Sequence, residues 1–264
     1  MTNVRLWSVL LSVLIFVQLG CNFQDSEDNV GDRKNAAEVV KNHPNFQLKV
    51  FYQPGAEPYT GQLFTNGTQV WSIMENTLGQ ILPPGVNQAA MPFTRAEMEI
   101  INLPQKRMWG KRRLSRLSQD IRFAQSGGSA NTLSVVFLSG YYRPNENAVG
   151  LHFAGRPVVF IFKPSVIQLQ GDQIQQAIAE QAVIAHEVGH AIGLVNGRVN
   201  MVGVNHEDPA SPGHCSNPRC VMYRDNNGRE TAMRYVDQVR ATGNFSLFGQ
   251  ECLQDLSSHY SQQF

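Results

Sequence analysis

The sequence predicts an α+β domain built on a mixed, twisted β-sheet, and three features predict it. Runs rich in β-branched and aromatic residues at 46–52 (FQLKVFY), 132–138 (TLSVVFL) and 157–162 (PVVFIF) read as strands. The last two are too continuously apolar to face water on either side, which makes them interior strands. A long stretch from Asp172 to about Val195 carries Ile174, Ala177, Ile178, Ala185, Val188 and Ile192 at helical spacing, so one face of a helix is available to pack on that sheet.

Taken in chain order, the first element is not part of the domain. Arg5 precedes an apolar run from Leu6 to Leu19 that is too short for a membrane-spanning helix and reads as an export signal over residues 1–20. Gly20 and Cys21 follow, an ending that resembles a bacterial lipoprotein signal, in which the cysteine becomes the lipidated first residue. That resemblance implies a chain exported and anchored through Cys21 to a cell-envelope bilayer; an ordinary secretory signal is the alternative. Residues 22–34 (NFQDSEDNVGDRK) are polar and acidic and cannot bury enough apolar surface to fold, so 21–44 is expected to be a tether and 45–264 the folded domain.

Within the domain the 46–52 strand is bounded by Pro44 and Pro54. A surface helix is expected over 94–122, carrying the basic segment 106–116 (KRMWGKRRLSR) as a solvated face around Trp109. Between the two interior strands lies a Gly-, Asn- and Pro-rich connection with a brief Leu151-His152-Phe153 that reads as an edge strand, with His152 facing water. The formal net charge of +1 over 264 residues gives no global field toward nucleic acid, and no such partner is expected.

The 172–195 helix opens on Asp172, with Gln175 three residues later in a capping-box arrangement. It contains His186-Glu187-Val188-Gly189-His190. Residues four apart on a helix lie one above the other, so both imidazoles reach a single ion. Neutral imidazole suits Zn2+, and a catalytic zinc takes three protein ligands and leaves a fourth position for water. Glu187, beside the first ligand, is placed to take a proton from that water as it attacks a carbonyl and to pass it to the leaving amine. Gly193 follows, where the helix can end and the chain can turn back.

HEVGHAIG, from His186 to Gly193, resembles the metzincin zinc metallopeptidases, whose signature H-E-x-x-H-x-x-G-x-x-H is followed downstream by a Met-turn beneath the metal. Asn196 stands where the third histidine belongs. The string His214-Cys215-Ser216-Asn217-Pro218-Arg219-Cys220-Val221-Met222 resembles the archaemetzincin pattern, displaced here by an inserted loop at 197–213. The resemblance implies a metzincin-like zincin fold, with His214 as third ligand, Met222 as Met-turn, and the inserted loop at the rim of the cleft. His206 is the rival third ligand. It also implies a metalloendopeptidase that binds extended peptide or protein along an edge strand; a non-catalytic zinc-binding surface lipoprotein and a non-peptidase zinc hydrolase are the alternatives. Archaemetzincins join two further cysteines to this pair in a structural zinc site, whereas here only Cys252 follows. In an exported chain a Cys215–Cys220 disulfide is therefore expected, with a three-cysteine zinc site and a substitute ligand as the alternative. Tyr223 takes no catalytic role. His43 and His259 are expected to face water.

Overall fold

The computed structural model describes residues 45–65, 67–88, 90–125, 132–169, 171–224, 237 and 246–262. The export signal, Cys21, the tether and His43 lie outside them. Strand β1 (Asn45–Tyr52) leads into helix α1 (Ser72–Ile81), short strands β2 (Asn87–Gln88), β3 (Glu99–Ile100) and β4 (Met108–Trp109), and helix α2 (Lys111–Gln125). There follow β5 (Thr132–Leu138), β6 (Tyr141–Tyr142), β7 (Gly150–His152), β8 (Val158–Phe162), α3 (Lys163–Gln168), α4 (Gln173–Ala191) and, at the carboxyl end, α5 (Gln250–Ser261).

The architecture is mixed α and β. One sheet runs β2-β1-β5-β8-β7, with β3 pairing the far end of β1. β1, β5 and β8 are mutually parallel, and β7 closes one edge antiparallel to β8 through Gly150–Ile161, Leu151–Phe160 and His152–Val159. All residues of β5 and β8 are buried, as their largely apolar sequences require, with Thr132 and Ser134 the polar exceptions in β5. Their side chains alternate between two cores. Leu133, Val135, Phe137, Val159 and Ile161 face α1, α4 and α5, while Val136, Leu138, Val158, Phe160 and Phe162 face Trp109 and the Leu114, Leu117 and Ile121 stripe of α2.

Two expectations change. The helix expected over 94–122 begins only at Lys111, because Pro104 breaks the helical pattern and residues 95–110 form a 3-10 turn and two short strands instead. Trp109 is wholly buried under α2 rather than lying among solvated arginines, and the guanidinium of Arg113 sits 5.5 Å from its ring centre. The edge strand is present, one residue earlier than expected, but His152 is half-buried rather than open to water. Its Nε2–H donates to the Arg156 carbonyl at 2.9 Å, and burial pushes its pKa down to about 4.

Candidate metal centre

Helix α4 is sunk in the larger core with almost every side chain covered, so its rotation is fixed by polar anchors as well as by packing. At its start the Asp172 carboxylate accepts from Gln175 N and the Gln175 side chain accepts from Asp172 N, both at 2.8 Å, which closes the capping box. Two turns on, buried Glu180 pairs with Lys163 and accepts the Tyr59 N–H at 2.8 Å, while Lys163 Nζ lies 3.5 Å from the centre of the Tyr59 ring. The helix stops at Ala191, short of the expected end, because Gly193 takes a left-handed φ of 87°. Val195 and Asn196 are left-handed too, at 53° and 63°, and Asn196 Nδ2 donates to Glu207 at 3.0 Å. The residue in the usual third-ligand position is thereby committed to the inserted loop.

His186 and His190 present their rings to each other with centres 4.7 Å apart, and His214 joins them at 5.3 and 5.0 Å. His186 Nδ1–H donates to the Val221 carbonyl at 2.7 Å, which leaves Nε2 as the lone-pair atom, 3.1 Å from His190 Nε2. His214 Nδ1 shares a 3.0 Å hydrogen bond with Ser211 Oγ, and its Nε2 is buried without a hydrogen-bond partner. Three imidazole nitrogens within 4.8 Å of one another, with the His186 and His214 rings steered from their other nitrogens, fit one metal ion. Burial holds all three histidines below their ordinary range, His186 at about 3, so they are neutral, as ligation requires.

Glu187 points to the neighbouring side. It is 3% exposed, and burial alone raises its pKa to about 8. The edge strand passes directly over it, since a Cβ on Gly150 would come 2.6 Å from Glu187 Oε1. Met222 packs beneath the helix at Gly189, where any side chain would collide with its sulfur. His206 does not approach this cluster.

His206 belongs to a second group. Its Nδ1 lies 3.3 Å from Cys215 Sγ, and Cys220 Sγ lies 3.5 Å from Cys252 Sγ, all buried. His206, Cys215 and Cys252 bring their ligand atoms within 4.8 Å of one another. Cys215 and Cys220, expected as a disulfide, are unbridged thiols in hydrogen-bond contact; Cys215 also meets His206, and Cys220 meets Cys252 on α5. Hydrogen bonds from Cys220 and Cys252 pull the Cys215 thiol well below its ordinary range, while their contacts with Cys215 hold the other two up. Only one of three such crowded sulfurs ionises easily without a cation. The inserted loop is mostly exposed, and Val199, His206 and Asp208 are the residues it buries.

No protein-family model matches this chain, and no curated protein does. One solved structure is similar. It is a zinc-dependent peptidase from Methanocorpusculum labreanum (strain Z), with 16% identity and a TM-score of 0.45 over 79% of this chain and 99% of that one.

Asp255 is the residue beside this second group that sequence reading passes over. It is fully buried on α5, and its two oxygens accept from Val202 N and His206 Nε2, each at 2.7 Å. A signal was present: Asp255 lies on the same helical stripe as Cys252 and Leu256, where a carboxylate has no place without a partner. His259, expected in water, is half-buried one turn further on.

Proposed function

We propose that this chain is a zinc-dependent endopeptidase of the metzincin kind. His186, His190 and His214 hold the catalytic zinc, and Glu187 is the general base. The observation that carries this reading is the buried carboxylate set beside three convergent imidazoles and beneath an edge strand. A purely structural metal site has no use for a base in that position. When bound, zinc supplies a Lewis acid for the substrate carbonyl and an acidified water. The protein supplies the rest. Glu187, desolvated and therefore a stronger base than an exposed carboxylate, takes the proton of the attacking water and returns it to the leaving amine. Within the described residues β7 pairs on one side only, with β8, and its other edge offers backbone groups to an extended peptide. The second group brings His206, Cys215 and Cys252 within reach of one ion, with Cys220 beside Cys252 as a further donor, and fits a structural zinc.

Cleavage of an unstructured protein such as casein, abolished by a chelator and restored by zinc, tests the reading. Zinc binding without cleavage of any peptide would replace it with a binding protein or a different hydrolase. Gly150→Ala is expected to lower turnover by about 100-fold with zinc content unchanged, because the added Cβ displaces the Glu187 carboxylate. Full activity in that variant would remove Glu187 from the mechanism or Gly150 from its shaping.

For the export signal, the proposal is lipidation at Cys21 and anchoring to a bacterial envelope membrane. No helix among the described residues is long and apolar enough to cross one. Cys21→Ser is expected to abolish incorporation of labelled fatty acid and to release the protein from membranes; unchanged label and partition would leave a plain secretory signal.

A further inference from the structure

The two clusters share one stretch of chain. Cys215 follows His214 directly, and Cys220 precedes Val221, whose carbonyl orients His186. Met222, next along, packs at Gly189 beneath the first two ligands, and its carbonyl accepts the Cys215 N–H at 2.8 Å. Each cysteine of this segment therefore adjoins a group that builds the three-histidine centre.

The inserted loop closes the connection from the other side. His206 O accepts from Ser216 N, His214 O accepts from Asp208 N, and Glu207 accepts from Gly213 N, all at 2.7 Å. Ser211, on the same loop, holds the His214 ring. What ties this loop to the body is Asp255, which takes one hydrogen bond from the loop backbone at Val202 and one from the His206 ring. With Nε2 engaged by the carboxylate, His206 Nδ1 is the nitrogen that faces Cys215 Sγ and is the ligand atom open to a metal. A metal-ligating histidine oriented by a carboxylate on its other nitrogen is the arrangement that raises ligand basicity and fixes the ring. Asn217 N donates to Cys215 Sγ at 3.4 Å, as befits a sulfur that bears charge.

We propose that His206 and Asp255 are positioning residues for the three-histidine centre: a zinc ion at His206, Cys215, Cys220 and Cys252 locks the inserted loop and sets His214 in place. The cysteine cluster then loads first and raises the zinc affinity of the histidine centre. The physical reason is that His214 arrives at the end of a long insertion, and the freedom of that segment is removed before, rather than during, binding of the second ion. Three sulfurs that repel one another when ionised become ligands around a cation, so the loop gains its anchor only in the metal-bound state. This inference rests on the reading that both clusters bind zinc, and not on peptidase activity.

The test is a metal titration of the full chain, reduced and stripped of metal. Co2+ reports the cysteine cluster through thiolate charge-transfer absorption, and competition with a chelating dye gives the zinc affinity of each site. In the wild type the charge-transfer band is expected to saturate with the first equivalent, and the histidine centre with the second. Asp255→Asn and His206→Ala, neither of which touches the histidine centre, are expected to weaken zinc binding there by about 10- to 100-fold, with far-ultraviolet circular dichroism unchanged. His186→Ala is expected to empty the histidine centre alone and leave the charge-transfer band at full intensity.

A missing charge-transfer band, a histidine centre that fills first, or wild-type affinity at that centre in a folded Asp255→Asn variant would each overturn the inference. The filling order in the wild type decides the matter even where a variant does not fold. A protein that loads in this order and cleaves nothing would refute the peptidase reading alone. A chelator-sensitive peptidase with two independent sites would refute the coupling alone.

Discussion

Glu187→Ala is expected to lower the rate of casein cleavage by about 100- to 10,000-fold while the zinc content of the purified protein stays at the wild-type level. The two halves of that outcome come from separate features of the site. Metal content holds because the three convergent ligand atoms belong to His186, His190 and His214, and each ring keeps its orientation when the neighbouring carboxylate is removed. Turnover falls because no other carboxylate of the catalytic helix replaces it: Glu180, two turns earlier, is occupied by Lys163 and Tyr59. Glu187→Gln is expected to behave the same way, since it keeps the shape beneath Gly150 and removes only the proton-accepting group. Metal analysis and initial rates on the same preparations check both variants. Ordinary turnover in either would sink the mechanism.

His214→Ala is expected to lose the catalytic zinc and the activity together, and not to recover either in excess zinc. Two imidazoles from one helix turn leave an ion with too few protein ligands, and Asn196, the residue at the familiar spacing, is turned away and bonded to Glu207. The contrast with His206→Ala is diagnostic. That variant removes a ligand from the other cluster, so its histidine centre is weakened but intact, and added zinc is expected to restore cleavage. Zinc retained at full stoichiometry in His214→Ala, with the histidine centre lost in His206→Ala, would exchange the two assignments.

What was legible in the sequence is what local spacing encodes. The burial of 132–138 and 158–162 follows from their largely apolar runs, and the start of α4 from Asp172 and Gln175. The facing pair His186 and His190 follows from a separation of one helical turn. His214 was singled out beside Met222, and the structure brings it to the pair. Cys252 joins the other cysteines as the alternative reading had it, but that His206 would stand beside them was not legible, because it is held through Asp255 on α5, dozens of residues downstream, and no periodicity reports a contact across that distance. His152 was misread for a related reason. Alternation along a strand tells inside from outside only when one face of the sheet is bare, and here α4 covers the face on which β7 lies. The segment before Lys111 misled through composition: charged residues favour a helix in isolation, but Pro104 and the burial of Trp109 set a different path.

The buried Lys163–Glu180 pair has a consequence of direction. A helix packed only by apolar side chains can turn or slide with modest loss, because one aliphatic contact substitutes for another. Advancing α4 by a single residue would rotate it by about 100° and swing both imidazoles off their common axis. Glu180 cannot follow such a slip, since its oxygens are held at once by Lys163 and by the Tyr59 amide, and Trp71 Nε1 holds the Tyr59 carbonyl at 2.9 Å. Replaced by two well-packed apolar side chains, the pair would cost the fold little. The phase of the helix would then rest on packing alone, and with it the bearing of His186 and His190 toward a common ion.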